Sequence, residues 1–220
     1  MQLIIIEGLI GAGKTTLSRQ LGEELSYRVM EEPTIDNPYL DKYYEDPKRW
    51  ALEMQFWLMS RRFEMHQEAI EHIWKTRQSV IMDRSIYGDA VFCRKNFLDG
   101  NIEKIGYDTY LKMREVMFRF LLVPQTTIYL AVTPEKCLER IQARERNCEQ
   151  MIPIEYLLGL HNEYEKLLTE LTERGSNVLT LNWNSFQPIQ PVIDQLFQKR
   201  SVNRFLERCF APEYGKESRL

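Results

Sequence analysis

The run Gly8-Leu9-Ile10-Gly11-Ala12-Gly13-Lys14-Thr15 fits G-x-x-x-x-G-K-[ST] at every fixed position, the pattern of a loop that cradles phosphates. Gly8, Gly11 and Gly13, with the small Ala12 between them, let successive backbone N–H groups turn inward without Cβ clashes. Those groups, with the start of a helix running through Thr16, Leu17, Leu21 and Leu25, form an anion nest. Lys14 adds a point charge for the β- and γ-phosphates, and the Thr15 hydroxyl can ligate Mg²⁺. ATP and Mg²⁺ are therefore the expected cofactors.

A phosphate loop specifies a nucleotide but not a reaction, and two acids say more. Glu32, directly before Pro33, could take a proton from a hydroxyl that attacks the γ-phosphate. Taken alone it reads better as a solvated acid at a strand end. Asp83 ends another strand, where an acid near Mg²⁺ would sit, and it could also cap a helix. Arg140, Arg144 and Arg146 fall at i, i+4 and i+6. Mobile arginines can stabilise the charge that phosphoryl transfer spreads over the equatorial oxygens. The phosphate loop favours that reading, an arginine-rich lid over about 140–152, against a merely solvated charged helix.

These residues must be positioned by alternating strands and helices. Residues 2–7 form an apolar run and read as a buried strand. Further strands are expected over 27–32, 79–83, 126–132 and 178–181. The segment 36–46, with Asn37-Pro38 and the tyrosines Tyr39, Tyr43 and Tyr44, reads as a loop or a broken helix over the site. A long helix is expected from Pro47 to about Arg77, carrying Trp50, Met54, Trp57, Leu58, Met65, Ala69 and Ile73 at helical spacing. Others are expected over 107–122, from Thr133-Pro134 into 140–146, over 154–173 and over 192–199. Five short strands alternating with helices predict an α/β fold: a parallel sheet with right-handed crossovers and helices on both faces. In such sheets the ligand sits beyond the carboxyl ends of the strands, where Gly8, Glu32 and Asp83 are expected.

The chain of 220 residues is 44% hydrophobic and 28% charged, a composition for one ordinary domain over 1–220. No window approaches the roughly 18 uncharged apolar residues of a membrane helix, so no membrane association is expected. The net charge is −3 with both signs interspersed, which argues against a nucleic-acid partner. Met1 leads straight into a strand with no basic n-region. Cys93, Cys137, Cys148 and Cys209 show no C-x-x-C spacing, and reduced thiols in a cytoplasmic protein are expected.

Beyond the phosphate loop, Glu32-Pro33, Tyr44-x-Asp46-Pro47-x-x-Trp50, Gln55, Asp83-Arg84-Ser85 and Arg144-x-Arg146-x-x-Glu149 occur in the order seen in deoxynucleoside kinases. The resemblance runs from Leu3 to about Leu181. It is nearest the bacterial deoxyadenosine/deoxyguanosine kinase branch, where the segment Asn37-Pro38-Tyr39-Leu40 is also familiar. It implies a P-loop NTPase-type fold and a homodimer. It implies that Glu32 is the base for the 5′-hydroxyl and that Arg84 holds that oxygen and the incoming phosphoryl group. Tyr44 and Glu149 resemble the pair on the sugar 3′-hydroxyl, Gln55 the reader of the base edge, and Phe92 the aromatic that stacks on the base. Arg62 and Asp89 match positions that join the base-reading set, which favours a purine. Many relatives have glutamate where this chain has Asp83, a departure that leaves the way Asp83 reaches Mg²⁺ open.

The implied function is transfer of the ATP γ-phosphoryl group to the 5′-hydroxyl of a purine deoxynucleoside in nucleotide salvage. The alternatives are a nucleoside monophosphate kinase of the thymidylate type and a non-catalytic ATP-gated binding module. The first needs more cationic groups at the acceptor and no base. The second leaves Tyr44, Gln55, Arg62 and Asp89 without a common purpose.

Overall fold

The computed structural model describes residues 1–32, 37–144 and 152–198. Within them, strands β1 (Leu3–Gly8), β2 (Arg28–Met30), β3 (Val80–Asp83), β4 (Thr126–Ala131) and β5 (Asn177–Asn182) alternate with helices. The helices are α1 (Lys14–Leu25), α2 (Leu40–Glu45), α3 (Pro47–Thr76), α4 (Asp89–Leu98), α5 (Lys104–Phe118), α6 (Pro134–Ala143), α7 (Ile154–Glu173) and α8 (Ile189–Gln198). The strands form one parallel sheet in the order β2-β3-β1-β4-β5. All six residues of β1 and all four of β3 are buried. A strand reads as a continuous apolar run because helices cover both faces of a parallel sheet. The expected α/β sheet is therefore present. No helix among the described residues is long and apolar enough to cross a membrane.

Several boundaries follow from local chemistry. Asp46 accepts a hydrogen bond from the Arg49 N–H at 3.2 Å and Pro47 follows, so α3 starts where a capped helix with proline in its first turn should. Thr133 and Pro134 repeat the device at α6, with the Thr133 Oγ1 accepting from Lys136 N–H at 3.3 Å.

Two points depart from expectation, whereas the broken helix expected within 36–46 is present as α2. The second strand ends at Met30 instead of running to residue 32. Its partner β3 leaves the sheet after Asp83, with Arg84 in the left-handed region at φ 65°, so Glu31 and Glu32 have no ladder to join. Glu32 consequently lies on the segment leaving the strand. Helix α4 was not expected, because its buried side chains Asp89, Val91, Cys93 and Asn96 include two polar residues that break the apolar period.

Candidate active site

The phosphate loop leaves β1 at Gly8 and enters α1 at Lys14. Its apolar residues Leu9 and Ala12 are wholly buried, which pins the loop from beneath. Gly11 has φ 77°, and a Cβ there would stand 2.7 Å from the Cys137 carbonyl oxygen, so only glycine lets α6 pack this closely. The Lys14 ammonium folds back and donates to the carbonyls of Leu9 at 2.8 Å and Gly8 at 3.3 Å. Burial, and then the Arg84 charge, lower its pKa to about 8. The Thr15 hydroxyl donates to Asp83 Oδ2 at 2.5 Å. Asp83 is thus no helix cap: α4 begins at Asp89, with Gly88 before it. The second oxygen of Asp83 is buried with no hydrogen-bond partner among the described residues. A hard cation ligated by oxygen would satisfy it, so Thr15 and Asp83 fit Mg²⁺.

Across the cleft, three charged residues converge. Glu32 takes one oxygen to Arg62 Nη2 and the other to Arg84 Nε, the latter at 3.1 Å. Burial alone would raise the Glu32 pKa, but Arg84, then Arg62 and Lys14, hold it down at about 2. Arg62 also pairs with Asp89, whose side chain is fully buried. Arg62 therefore joins a carboxylate on the cavity to one behind its wall. Arg84 lies over the Phe92 ring, 4.8 Å from its centre.

A cavity of about 550 Å³ connects these parts. Gly11, Gly13, Lys14, Thr15 and Thr16 line one end. Glu32, Asp83 and Arg84 line it as well, as do Tyr44, Gln55, Arg62 and Phe92. Gln55 is fully buried, and its amide nitrogen and oxygen both lack hydrogen-bond partners among the described residues. Leaving them so costs about 1–3 kcal/mol per group, a cost that a ligand with matching donor and acceptor would remove. Gly8, Ala12 and Asp89 stand behind the lining.

Arg140 and Arg144 line the cavity too. Arg140 is engaged with backbone: it donates to the carbonyls of Ala12 (3.1 Å), Trp183 (2.8 Å) and Asn184 (3.1 Å) and lies over Phe186. That clamps the phosphate loop to the loop after β5, a different task from a mobile lid arginine. Arg144 follows the last residue of α6. Arg146 and Glu149, with most of the expected lid, lie outside the described residues.

Sequence reasoning passed over several groups. Tyr43 donates to Asn96 Oδ1 at 3.0 Å and stands 3.3 Å from the Tyr156 hydroxyl, and both tyrosines line the cavity. Arg19 and Glu31 pair through two hydrogen bonds at its rim. Glu7, between Ile6 and Gly8, is fully buried. A charge inside an apolar strand was the available signal for Glu7. Tyr156 gave none, as an aromatic on an amphipathic helix reads as core.

With this geometry in place, comparison with known proteins is informative. The model of the family described as "Deoxynucleoside kinase" matches residues 4–207. The chain is 43% identical to a deoxyguanosine kinase of Dictyostelium discoideum over 195 residues, covering 89% of this chain and 68% of that protein. It is 37% identical to a deoxyadenosine kinase of the same organism, covering 96% and 84%. A solved structure of deoxyadenosine kinase from M. mycoides with bound dCTP superposes with a TM-score of 0.78 at 26% identity, covering 89% of this chain and 99% of that one. Since the family's sequence pattern spans the whole cleft and its fold agrees, this chain belongs to the deoxynucleoside kinase family and is a kinase that phosphorylates nucleosides.

Proposed function

We propose that the protein moves the γ-phosphoryl group of ATP to the 5′-hydroxyl of a purine deoxynucleoside, deoxyadenosine or deoxyguanosine. The observation that carries this reading is the position of Glu32. Glu32 lines the same cavity as Lys14 and Thr15 and as Gln55, whose buried amide has no partner among the described residues. The nucleoside occupies the side bounded by Tyr44, Gln55, Arg62 and Phe92, with Gln55 offering a donor and an acceptor to the base edge. Arg62, fixed by Asp89, extends that edge to the larger purine ring system.

Glu32 accepts the 5′-hydroxyl proton as the oxygen attacks phosphorus. A carboxylate with a pKa near 2 is a weak base. Proton transfer in a loose transition state comes late, however. By then Arg84 shares its charge with the transferring oxygens, and Glu32 moves back toward an ordinary carboxylate. Lys14 leaves the Gly8 and Leu9 carbonyls to hold the phosphates. Thr15 and Asp83 would hold Mg²⁺, which when bound neutralises charge on the β- and γ-oxygens. Arg144, which lines the cavity, supplies further positive charge for the transferring group. Exposed apolar side chains on α5, Ile105, Met113 and Val116, support a two-fold dimer, which light scattering would test. The free thiols of Cys93 and Cys137 support a cytoplasmic setting for this reading.

An acceptor panel with Mg·ATP tests the reading. Purine deoxynucleosides should give the highest kcat/KM. Thymidine as the best acceptor would overturn the purine assignment.

A further inference from the structure

The mechanism leaves one buried polar cluster unused. Glu7, the next-to-last residue of β1, is fully buried. One of its oxygens accepts from the Ser85 hydroxyl at 2.6 Å, and the other lies 3.4 Å from the Tyr164 hydroxyl. The start of α4 packs directly on this carboxyl. A Cβ at Gly88 would approach Glu7 Oε2 to 2.5 Å, so the group has no room to swing. Tyr164, wholly buried in the middle of α7, turns the other side of its hydroxyl to Arg84 and accepts from Nη1 at 2.7 Å. The same Nη1 donates to the Gly8 carbonyl at 3.2 Å.

The consequence lies in the shape of the guanidinium. A carboxylate left alone with an arginine pairs with two of its nitrogens in a parallel fork. Here Glu32 meets Arg84 through Nε only. The other Glu32 oxygen goes to Arg62, Nη1 is anchored by Tyr164 and Gly8, and Nη2, beside Nε, makes no hydrogen bond among the described residues. Were the fork to close, Arg84 would be saturated by the base it has to assist, and Glu32 would be harder to protonate. Arg84 also holds a left-handed backbone at φ 65°, and its side chain is aimed by Glu32, Gly8 and Tyr164.

We propose that Tyr164 and Glu7 are positioning residues that hold Arg84 from behind, fixing the plane of its guanidinium so that Nη2 is left for the 5′-oxygen and the transferring phosphoryl group. Glu7 orients the Tyr164 proton toward itself, so that a phenolic lone pair faces Arg84. Burial raises the Glu7 pKa, with Arg84 and Ser85 opposing it. The Tyr164 hydroxyl serves as an acceptor for Arg84 whichever state Glu7 takes.

This rests on the kinase reading above, and the test separates the two. Wild-type enzyme lacking deoxynucleoside-dependent ADP release would sink the reading itself. With wild type active, Tyr164→Phe should lower kcat roughly tenfold or more, the scale of one hydrogen bond to a charged group, with KM for the nucleoside nearly unchanged. Glu7→Gln, which keeps the shape packed on Gly88, should lower kcat in the same sense. In an Arg84→Lys background Tyr164→Phe should cost almost nothing further, because an ammonium has no fork to orient. A kcat equal to wild type, or the same fold-loss in both backgrounds, would overturn the proposal. So would a loss of kcat that only tracks a fall in nucleoside-binding stoichiometry by calorimetry, which would make Tyr164 a packing residue.

Discussion

On the reading proposed above, the cleft has a phosphate end and a nucleoside end, and the two hold their charges differently. At the phosphate end the cationic side chains rest on the protein's own carbonyls: Lys14 on Gly8 and Leu9, and Arg140 on Ala12, Trp183 and Asn184. At the nucleoside end opposite charges are cross-paired, Glu32 with Arg62 and Arg84 and Arg62 with Asp89, while the Gln55 amide has no partner among the described residues. The phosphate end is a short contiguous loop whose backbone is itself the binding group, so it is formed by local geometry. The proposed nucleoside end is assembled from side chains distant in sequence, whose charges pair with one another.

The contrast gives graded expectations. Glu32→Gln should lower kcat by roughly 10²–10⁴-fold, the range of general-base catalysis, while calorimetry still shows nucleoside binding. Unchanged turnover would remove Glu32 from its role. Lys14→Ala should lower kcat/KM for ATP by roughly 10²-fold and leave nucleoside binding nearly unchanged. If both substrates suffered equally, the two ends would not be separable.

Gln55→Leu acts in opposite directions on stability and binding. Removing a buried amide without partners should raise Tm by a few degrees, at about 2–4 °C per kcal/mol for a chain of this size. The same change should raise the nucleoside KM about tenfold. A fall in Tm, read by calorimetry, would mean that Gln55 has structural partners.

The smallest effect is one of slope with pH. The Glu32 pKa lies near 2 in the folded protein, below the usual 4.5, so its contribution to stability is present above pH 4.5. That contribution is lost as pH falls from there toward about 2, because the unfolded chain takes up its proton first. Urea titrations over that range should show a shallower loss of stability in Glu32→Gln than in wild type.

Some of this was legible in residue order. The phosphate loop, the strands around it, α3 and α7 follow from contiguous patterns: a glycine motif, apolar runs, and caps such as Asp46-Pro47 and Thr133-Pro134. Glu32, Gln55, Arg62, Arg84 and Asp89 were named from motif order, yet the ion pairs that join Arg62 to both Glu32 and Asp89 were not visible. Nor was α4, whose buried face carries Asp89 and Asn96 and so breaks the apolar period.

Local physics acts between near neighbours, and it sets which elements form and where the phosphate nest lies. Which carboxylate meets which guanidinium, and that Glu7 reaches Tyr164 across 157 positions of chain, depends on how β1, β3, α3 and α7 pack. A side chain's charge partners are chosen by distance in space, which residue order does not encode one residue at a time.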